Sequence, residues 1–206
     1  MLIGKLFKNI NHKYRDHYFY GLCSNSNKIK KNNIFFAIKG INLNGNKYIK
    51  DAINKGAKTV VSKLNFEGLK RNILYIKTKN CRKLLSEIAS KYYKKKPRNL
   101  IAVTGTNGKS SIAEFYYQIL KINNKKVASI GTLGIKINKK NTNVLNTTLD
   151  PIFLNKQLEE IKKRGIENVI LEASSHGLKQ YRLHGLKFST AIFTNLSRDH
   201  LDYHKS

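Results

Sequence analysis

The feature that most constrains this chain is a glycine-bearing turn between an apolar strand and an amphipathic helix. Leu100–Val103 is apolar and predicts a short strand, and the polar turn Thr104–Ser111 follows it directly. Beyond the turn, apolar residues recur at helical spacing from Ile112 to Leu120. Strand, glycine turn and helix in this order are the context in which a phosphate-binding loop is credible. The fold must therefore deliver a loop from a buried strand to the N-terminus of a helix.

The residues of this turn suit nucleotide phosphates. Its two glycines allow a tight turn with inward-pointing N–H groups, and the helix N-terminus adds a partial positive charge. A lysine there reaches the terminal phosphates of ATP, and the following serine hydroxyl binds Mg²⁺. The strict form of the motif has glycine at position 103, where this chain has Val103, so a glycine turn with an incidental Lys-Ser pair is the alternative. The expected ATP-binding residues are Gly105, Thr106, Asn107, Gly108, Lys109, Ser110 and Ser111.

The net charge of +28 raises the question of a nucleic-acid partner. The lysines are spread along the whole chain among asparagines and isoleucines, and only Lys94–Lys96 forms a short run. A basic nucleic-acid-binding protein would collect them on one face and bind with a steep salt dependence. We therefore attribute the charge to compositional bias and expect no nucleic-acid partner. A basic surface would still attract ATP and a nucleotide sugar, which are both polyanions.

The remaining composition is that of a soluble globular protein. Hydrophobic residues make up 40% and charged residues 25% of the chain, and no long uncharged apolar run predicts a membrane span. Met1–Tyr20 interrupts its apolar positions with basic residues, which argues against a secretory signal. Cys23 and Cys81 lack metal-ligand spacing, so we expect free thiols. These features predict a cytoplasmic protein, and we expect a monomer.

Two α/β segments are expected on either side of Pro97, at residues 1–96 and 97–206. In the second segment, strands alternate with helices, which predicts a parallel sheet covered on both faces. The chain reaches Ser206 without a closing helix, so we expect this P-loop ATPase-type domain to be incomplete. The expected strands are Ile34–Ile38, Thr59–Val61, Ile73–Ile76, Leu100–Val103, Val127–Ile130, Val169–Leu171 and Ala191–Phe193, and the expected helices are Lys47–Lys55, Arg82–Tyr93, the one after the phosphate loop, and Ile152–Arg164.

The form of the phosphate loop points to a family. Its sequence, Thr-Gly-Thr-Asn-Gly-Lys-Ser, resembles that of the Mur ligase and folylpolyglutamate synthetase superfamily. That resemblance implies an enzyme that uses ATP to convert a carboxylate into an acyl phosphate, which an amine then attacks. Three further stretches, in the family's order, resemble the MurE type of Mur ligase, which adds the third residue of the peptidoglycan stem peptide. They are Asn146–Thr148, Glu172–Arg182 and Thr194–His204.

The resemblance also implies roles for individual residues. Glu172 ends a buried strand near Ser110 and is the candidate Mg²⁺ carboxylate, with capping of the next helix as the alternative. His200 resembles a residue that helps to bind a second Mg²⁺, although a lone histidine is more often structural. Arg182 suits a pyrophosphate or carboxylate, with a solvated cation as the alternative. The expected catalytic residues are Lys109, Glu172 and His200, and the expected contacts with UDP-MurNAc-L-Ala-D-Glu in this segment are Asn146, Thr147, Thr148, Ser174, Gln180 and Arg182.

The first segment resembles the family's UDP-sugar-binding domain more loosely. Its motifs keep their small residues, but asparagines replace the charged ones, as in Asn25-Ser26-Asn27, where the family has Asp-Ser-Arg. The change at Asn27 removes a group expected to contact the uracil. The candidate uridine contacts are Ser24, Ser26 and the turn Ile41–Leu43.

The resemblance therefore implies an ATP- and Mg²⁺-dependent amide ligase that adds a diamino acid to UDP-MurNAc-L-Ala-D-Glu in peptidoglycan precursor synthesis. In the family, a further lysine and a C-terminal domain that binds the amino acid complete the site. Both would follow Ser206, so the short chain alone is expected to be inactive. Another Mur or folylpolyglutamate-type ligase, a nucleic-acid-binding P-loop protein and a non-catalytic nucleotide-sugar-binding remnant stay open as alternatives. Meso-diaminopimelate and lysine stay open as the third amino acid.

Overall fold

The computed structural model describes residues 1–40, 43–138, 140–198 and 203. The chain forms two compact units, Met1–Tyr92 and Tyr93–Ser206. The boundary lies at the end of a helix, a few residues before Pro97. Within the described ranges, no helix is both long enough and apolar enough to span a membrane.

The first unit is a sheet with two α-helices over the described residues 1–40 and 43–92. Its strands are β1 (Gly21–Cys23), β2 (Asn33–Phe36), β3 (Thr59–Ser62), β4 (Gly68–Lys70) and β5 (Ile73–Lys77), and its α-helices are α1 (Ile49–Asn54) and α2 (Cys81–Tyr92). The strands lie in the order β1-β2-β3-β5-β4, and β4 runs antiparallel to β5 while the other pairs are parallel. Every residue of β2 and β3 is buried, as expected for parallel strands covered on both faces.

One core cluster of the first unit lies between this sheet and α1. Phe35 and Val60 pack there with Ala52. Cys23 and Cys81 are buried thiols that form no disulfide, as the sequence predicts. Burial raises the pKa of the Cys81 thiol to about 12, so this thiol stays protonated and inert at neutral pH.

The second unit is a larger sheet with three α-helices over residues 93–138, 140–198 and 203. Its strands are β6 (Asn99–Thr104), β7 (Val127–Gly131), β8 (Gly134–Ile137), β9 (Lys140–Thr142), β10 (Asn168–Glu172) and β11 (Thr190–Phe193), and its helices are α3 (Lys109–Ile122), α4 (Pro151–Lys163) and α5 (Ser175–Lys179). The order is β11-β6-β10-β7-β8-β9. The first four of these strands are parallel, and β8 and β9 continue the sheet antiparallel.

Helix α4 shows how local sequence sets the packing of this unit. The Asp150 carboxylate accepts two N–H groups of the first turn and caps the N-terminus, and the chain leaves the helix through Gly165 at φ 72°. Leu154, Leu158 and Ile161 fall on one face, where they are buried against the sheet. Each contributes about 1.5–3 kcal/mol by leaving water.

Both faces of the second sheet are covered. Consecutive strand residues point to opposite faces, and each set of residues packs in a different cluster. Val169 and Leu171 pack in the cluster that includes the apolar face of α4. Val103 and Ile170 pack against Ala113 of α3. The predicted mixed α/β class with a mainly parallel sheet is confirmed.

One expected helix differs from the prediction. In place of the predicted helix Lys47–Lys55, the chain forms a 3₁₀ turn, Gly45–Tyr48, followed by the short helix α1. The Asn44 side chain accepts the N–H of Asn46 at 3.1 Å and starts this turn before the predicted helix start. The periodic apolar residues predicted a single helix because periodicity alone does not distinguish the two helix types.

Candidate active site

A pocket of about 880 Å³ lies at the carboxyl ends of β6, β7, β10 and β11 in the second unit. Ligands of open α/β sheets gather at such an edge. Its lining residues are mostly hydroxyl, amide and charged side chains with a few apolar ones. They are Thr104, Gly105, Thr106, Asn107, Gly108, Lys109, Ser110, Ser111, Thr132, Thr147, Glu172, Ser174, Ser175, Leu178, Phe193, Leu196, Ser197 and Arg198.

The phosphate loop connects β6 to α3 through two left-handed glycines. Gly105 has φ 132° and Gly108 has φ 84°, a region that side chains strongly disfavour. A Cβ at Gly105 would also lie 2.0 Å from the Thr194 hydroxyl oxygen. Both glycines are thus required by geometry, and Val103 occupies a fully buried strand position where the strict motif has glycine.

The segment after β11 fastens this loop. The Thr194 hydroxyl donates to the Asn107 carbonyl at 2.7 Å. The Asn195 carbonyl accepts the Thr106 N–H and its side-chain oxygen accepts the Asn107 N–H, both at 3.0 Å. Two loop N–H groups are therefore engaged by protein, and a nucleotide would have to replace or share these contacts.

Lys109 is folded over the loop. Its ammonium donates to the carbonyls of Gly105 and Thr106, each at 2.7 Å. This places the positive charge at the loop itself, beside the helix N-terminus. A polyphosphate entering the loop would meet a lysine already in place.

Glu172 is the buried charge of the site, with only 2% of its surface exposed. Its Oε2 accepts the hydroxyls of Ser110 at 2.9 Å and Thr132 at 3.1 Å, and its Oε1 accepts the Thr132 N–H at 3.0 Å. A buried carboxylate needs such donors, because desolvation otherwise disfavours its charged form. Gly131 leaves the space in which this carboxylate lies, since a Cβ there would be 2.1 Å from Oε1.

Helix α5 is capped by Ser174 rather than by Glu172. The Ser174 hydroxyl oxygen accepts the Gly177 N–H at 3.1 Å, as an N-cap does. Thr148 lies beneath it, with its hydroxyl donating to the Glu172 carbonyl at 2.9 Å. The capping alternative for the Glu172 side chain is therefore not what the fold uses.

Arg182 is held by acceptors rather than free in solvent. Its Nη1 donates to the Thr148 carbonyl at 2.5 Å, and its Nε and Nη2 donate to Gln180 Oε1 at 3.2 and 2.9 Å. The Gln180 amide in turn donates to the Tyr203 hydroxyl at 3.2 Å. The Tyr203 ring stacks on His176, with centroids 4.0 Å apart. Thr148, Ser174, Gln180 and Arg182 thus belong to one connected network.

Other predicted residues lie apart from this network. Asn146 is exposed, and Thr147 contacts Thr132, hydroxyl to hydroxyl at 3.0 Å, which in turn contacts the Glu172 carboxylate. Ser111 is exposed on the first turn of α3 and lines the pocket. His200 lies outside the described residues. Among those that are described, no group of three or more His, Cys, Asp or Glu could hold a metal ion.

The candidates of the first unit have different environments. Ser24 is exposed, as is Leu43, while Ile41 and Asn42 lie outside the described residues. Ser26 is buried and hydrogen-bonds to Asp51, whose pKa is lowered first by Lys55 and then by this serine. The Ser26 hydroxyl is therefore already used within its own unit.

Sequence reasoning did not assign site roles to several residues that hold the site together, four of which follow. Thr132 follows the carboxyl end of β7, Thr194 and Asn195 follow that of β11, and Tyr203 belongs to the last motif. The rule that ligands gather at strand ends would have found the first three, had it been applied to every strand.

Most of the chain matches two domains of a known protein family. Residues 103–206 match the Mur ligase middle domain, and residues 18–93 match the domain described as Mur ligase family, catalytic domain. The chain belongs to the Mur ligase family. The predicted family is thereby confirmed, and the middle-domain match lies within the second unit of this Mur ligase chain.

The relatives of this Mur ligase chain include proteins named UDP-N-acetylmuramoyl-L-alanyl-D-glutamate–2,6-diaminopimelate ligase. The one from Rickettsia montanensis is 43% identical over 201 residues, which are 95% of this chain and 41% of the relative. The one from Bradyrhizobium diazoefficiens is 40% identical over 184 residues, or 89% and 38% of the two chains. The chain thus spans about two fifths of the length of these relatives.

Solved structures give the same relationship. A structure of UDP-N-acetylmuramoyl-L-alanyl-D-glutamate–2,6-diaminopimelate ligase superposes with a TM-score of 0.84 at 31% identity and covers 100% of this Mur ligase chain and 42% of that one. The MurF ligase of Thermotoga maritima, solved in complex with ADP, has a TM-score of 0.61 at 20% identity and covers 90% and 39%. The second likeness concerns the fold alone.

Proposed function

We propose that this Mur ligase chain is the nucleotide- and dipeptide-binding part of an ATP-dependent ligase that adds a diamino acid to UDP-MurNAc-L-Ala-D-Glu. The observation that carries the proposal is the buried Glu172 carboxylate, joined to Ser110 at 2.9 Å beside the phosphate loop. The 43% identity to a ligase named for this dipeptide and diaminopimelate supports the substrate assignment. We place the protein in the cytoplasm as a monomer that does not bind nucleic acid.

The phosphate loop would bind the polyphosphate of ATP. Its N–H groups and the N-terminus of α3 attract negative charge, and Lys109 supplies a full cation at the same place. On binding, the Lys109 ammonium would exchange its carbonyl acceptors, Gly105 and Thr106, for phosphate oxygens. That exchange replaces neutral acceptors by charged ones, which form stronger hydrogen bonds.

Glu172 and Ser110 fit a magnesium ion bound with the nucleotide. Mg²⁺ in such sites takes one or two carboxylates and completes its shell with phosphate oxygens and water. A carboxylate and a hydroxyl already 2.9 Å apart offer two oxygens of that kind. When bound, the ion neutralises charge that develops on the phosphates. His200 would contribute to a second ion.

The dipeptide would bind at the Thr148–Arg182 network next to Glu172. The pocket offers hydroxyls at Thr147 and Ser174 next to this network, and these groups suit an acceptor-rich ligand. The Arg182 guanidinium donates to the Thr148 carbonyl and to Gln180 Oε1, and it gives the network a fixed positive charge. In the first unit, Ser24 and Ser26 would lie towards the uridine.

The reaction would proceed in two steps, a phosphoryl transfer followed by an acyl transfer. The side-chain carboxylate of D-Glu attacks the γ-phosphorus, the bond to the β-phosphate oxygen breaks, and ADP leaves. The amine of the diamino acid then attacks the acyl carbon, loses a proton, and displaces phosphate. The residues of this chain serve mainly to position the reacting groups and to stabilise charge. Phosphoryl transfer gains most of its rate from these two effects.

Binding specificity tests the proposal directly. By calorimetry, the chain should bind Mg-ADP and UDP-MurNAc-L-Ala-D-Glu, and should bind UDP-MurNAc-L-Ala and UDP-GlcNAc more weakly. Replacing Arg182 by Met should weaken binding of the dipeptide ligand by roughly tenfold or more, because a charged hydrogen bond contributes about 1.5–3 kcal/mol. The exposed Arg71→Met serves as the matched control.

Turnover supplies the second readout. Phosphate release should require the dipeptide substrate and one diamino acid when the C-terminal part of a related ligase is supplied. The ligase assignment would be refuted if the chain bound neither Mg-ADP nor the dipeptide ligand and instead bound DNA or RNA tightly, with a steep salt dependence.

A further inference from the structure

The contacts of Thr132 join the Glu172 carboxylate to Thr147 on the other side of the candidate site. Its N–H and its hydroxyl both meet the Glu172 carboxylate, at 3.0 and 3.1 Å. Its hydroxyl oxygen also lies 3.0 Å from the hydroxyl oxygen of Thr147. Glu172 stands beside the phosphate loop, whereas Thr147 stands on the side assigned to the dipeptide.

Proton counting fixes the direction of these bonds. An ionised carboxylate only accepts, and a hydroxyl has one proton to give. The Thr132 proton therefore goes to Glu172, and the Thr147 hydroxyl must donate to Thr132. The result is a chain of two hydroxyls, from Thr147 through Thr132 to Oε2, in which each bond polarises the next.

The sheet explains why Thr132 occupies this place. It follows Gly131 at the carboxyl end of β7, and β7 is the direct neighbour of β10, which ends at Glu172. The tight turn to β8 needs the backbone at this point and the left-handed Gly134, but it makes no use of the threonine hydroxyl. Thr132 is exposed, so its side chain does not fill the core.

We propose that Thr132 is a positioning residue that transmits the state of Thr147 to the Glu172 carboxylate, and so links the dipeptide side to the cation and nucleotide. The inference rests on the proposed function, because it takes Glu172 to hold the Mg²⁺ of the nucleotide. Thr132 donates to both oxygens of this carboxylate, and loss of its hydroxyl removes one of the two hydroxyl donors that hold Oε2. Within the described part of the chain, Thr147 reaches the carboxylate through Thr132.

A double-mutant cycle on nucleotide affinity tests the relay. The variants are Thr132→Val, Thr147→Val and both together, with Thr132→Ser as the conservative variant and the exposed Thr190→Val, at the far end of β11, as the matched control. Valine keeps the shape and the backbone N–H of threonine and removes only the hydroxyl. The dissociation constant of ADP is measured by calorimetry, once with excess Mg²⁺ and once with EDTA.

With Mg²⁺, Thr132→Val should weaken ADP binding by roughly tenfold and Thr147→Val by roughly threefold. The double variant should lose roughly tenfold rather than the roughly thirtyfold of independent sites. Thr132→Ser should stay within about twofold of the wild type. With EDTA all these differences should disappear, because Thr132 acts through the carboxylate that holds the ion. A merely structural role would lower affinity in both conditions.

Three results would overturn the relay while leaving the ligase assignment intact. They are wild-type affinity in Thr132→Val with Mg²⁺, equal losses with Mg²⁺ and EDTA, and independent losses in the double variant. Should Thr132→Val fail to fold, Thr147→Val alone still decides through its Mg²⁺-dependent loss or the lack of one. Failure of the wild type to bind ADP at all would instead overturn the proposed function, and the relay with it.

Discussion

Gly131 measures how closely the protein packs around the candidate metal carboxylate. A Cβ added there would lie 2.1 Å from Glu172 Oε1, 2.5 Å from Cδ and 2.6 Å from Cγ. Favourable contact between such atoms begins at about 3.5 Å. In Gly131→Ala, the carboxyl group must therefore move by about 1 Å or more.

The sheet leaves only the side chain free to move. The backbone of Glu172 lies in β10, which is paired with β6 on one side and β7 on the other. Rotation of the side chain breaks its bonds from Ser110 and Thr132, and each bond to a charged group is worth about 1.5–3 kcal/mol. Losing the two hydroxyl bonds, even at the lower value, costs about 3 kcal/mol, or roughly a hundredfold weaker Mg-ADP binding. Overpacking should also lower the free energy of unfolding by about 1–3 kcal/mol.

Calorimetric titration with Mg-ADP and urea denaturation measure these two effects. Gly21→Ala is the matched control in the first unit, because its Cβ would meet only the flexible side-chain amide of Asn33, at 2.9 Å. The control should lose some stability and keep wild-type affinity for Mg-ADP. If Gly131→Ala also binds Mg-ADP within threefold of the wild type, the carboxylate is not held as described.

Three further perturbations test other parts of the chain. Lys109→Ala should abolish Mg-ATP binding while the exposed Lys125→Ala does not, and equal affinities by calorimetry would remove the phosphate-loop assignment. Tyr203→Ala should weaken binding of the dipeptide ligand by roughly fivefold, since it removes a hydrogen bond to Gln180. An unchanged dissociation constant would mean that this contact does not support the site. Burial lowers the pKa of Lys96 from 10.5 to about 8, so between these values the unfolded chain binds more protons and stability rises with pH. Lys96→Met should therefore lose this rise in urea denaturation between pH 8 and pH 10, and an identical slope would contradict it.

The elements that the sequence predicted best are those with strong apolar patterns. The run Val169–Leu171 gave β10, and the spacing of Leu154 and Leu158 gave α4, because burial on a sheet dictates both patterns. Strand β9 could not be found in this way, since all its residues are exposed and it is held by backbone pairing to β8. Helix α5 has only five residues and is fixed by the Ser174 cap, too short for periodicity to appear.

The candidate site divides along the same line. Ser110 and Glu172 were paired from sequence because each lies next to a recognisable motif. The link through Thr132 depends on β7 lying beside β10, and adjacency of strands is a property of the sheet order that no local pattern encodes. The Tyr203–Gln180 contact is likewise a meeting of distant segments, which the sequence motifs contain but do not connect.

The position of the pocket at four adjacent strand ends has a consequence for how the protein unfolds. Strands in a sheet lie about 4.8 Å apart, so β11, β6, β10 and β7 present their ends over about 14 Å. The hydrogen bonds that fix this spacing continue into the core, where Val103 and Leu171 are buried. The central strand ends that frame the pocket are therefore held together by the core of the sheet. A bound nucleotide would accordingly slow amide hydrogen exchange in β6, β10 and β7 together, deep in the sheet as well as beside the ligand.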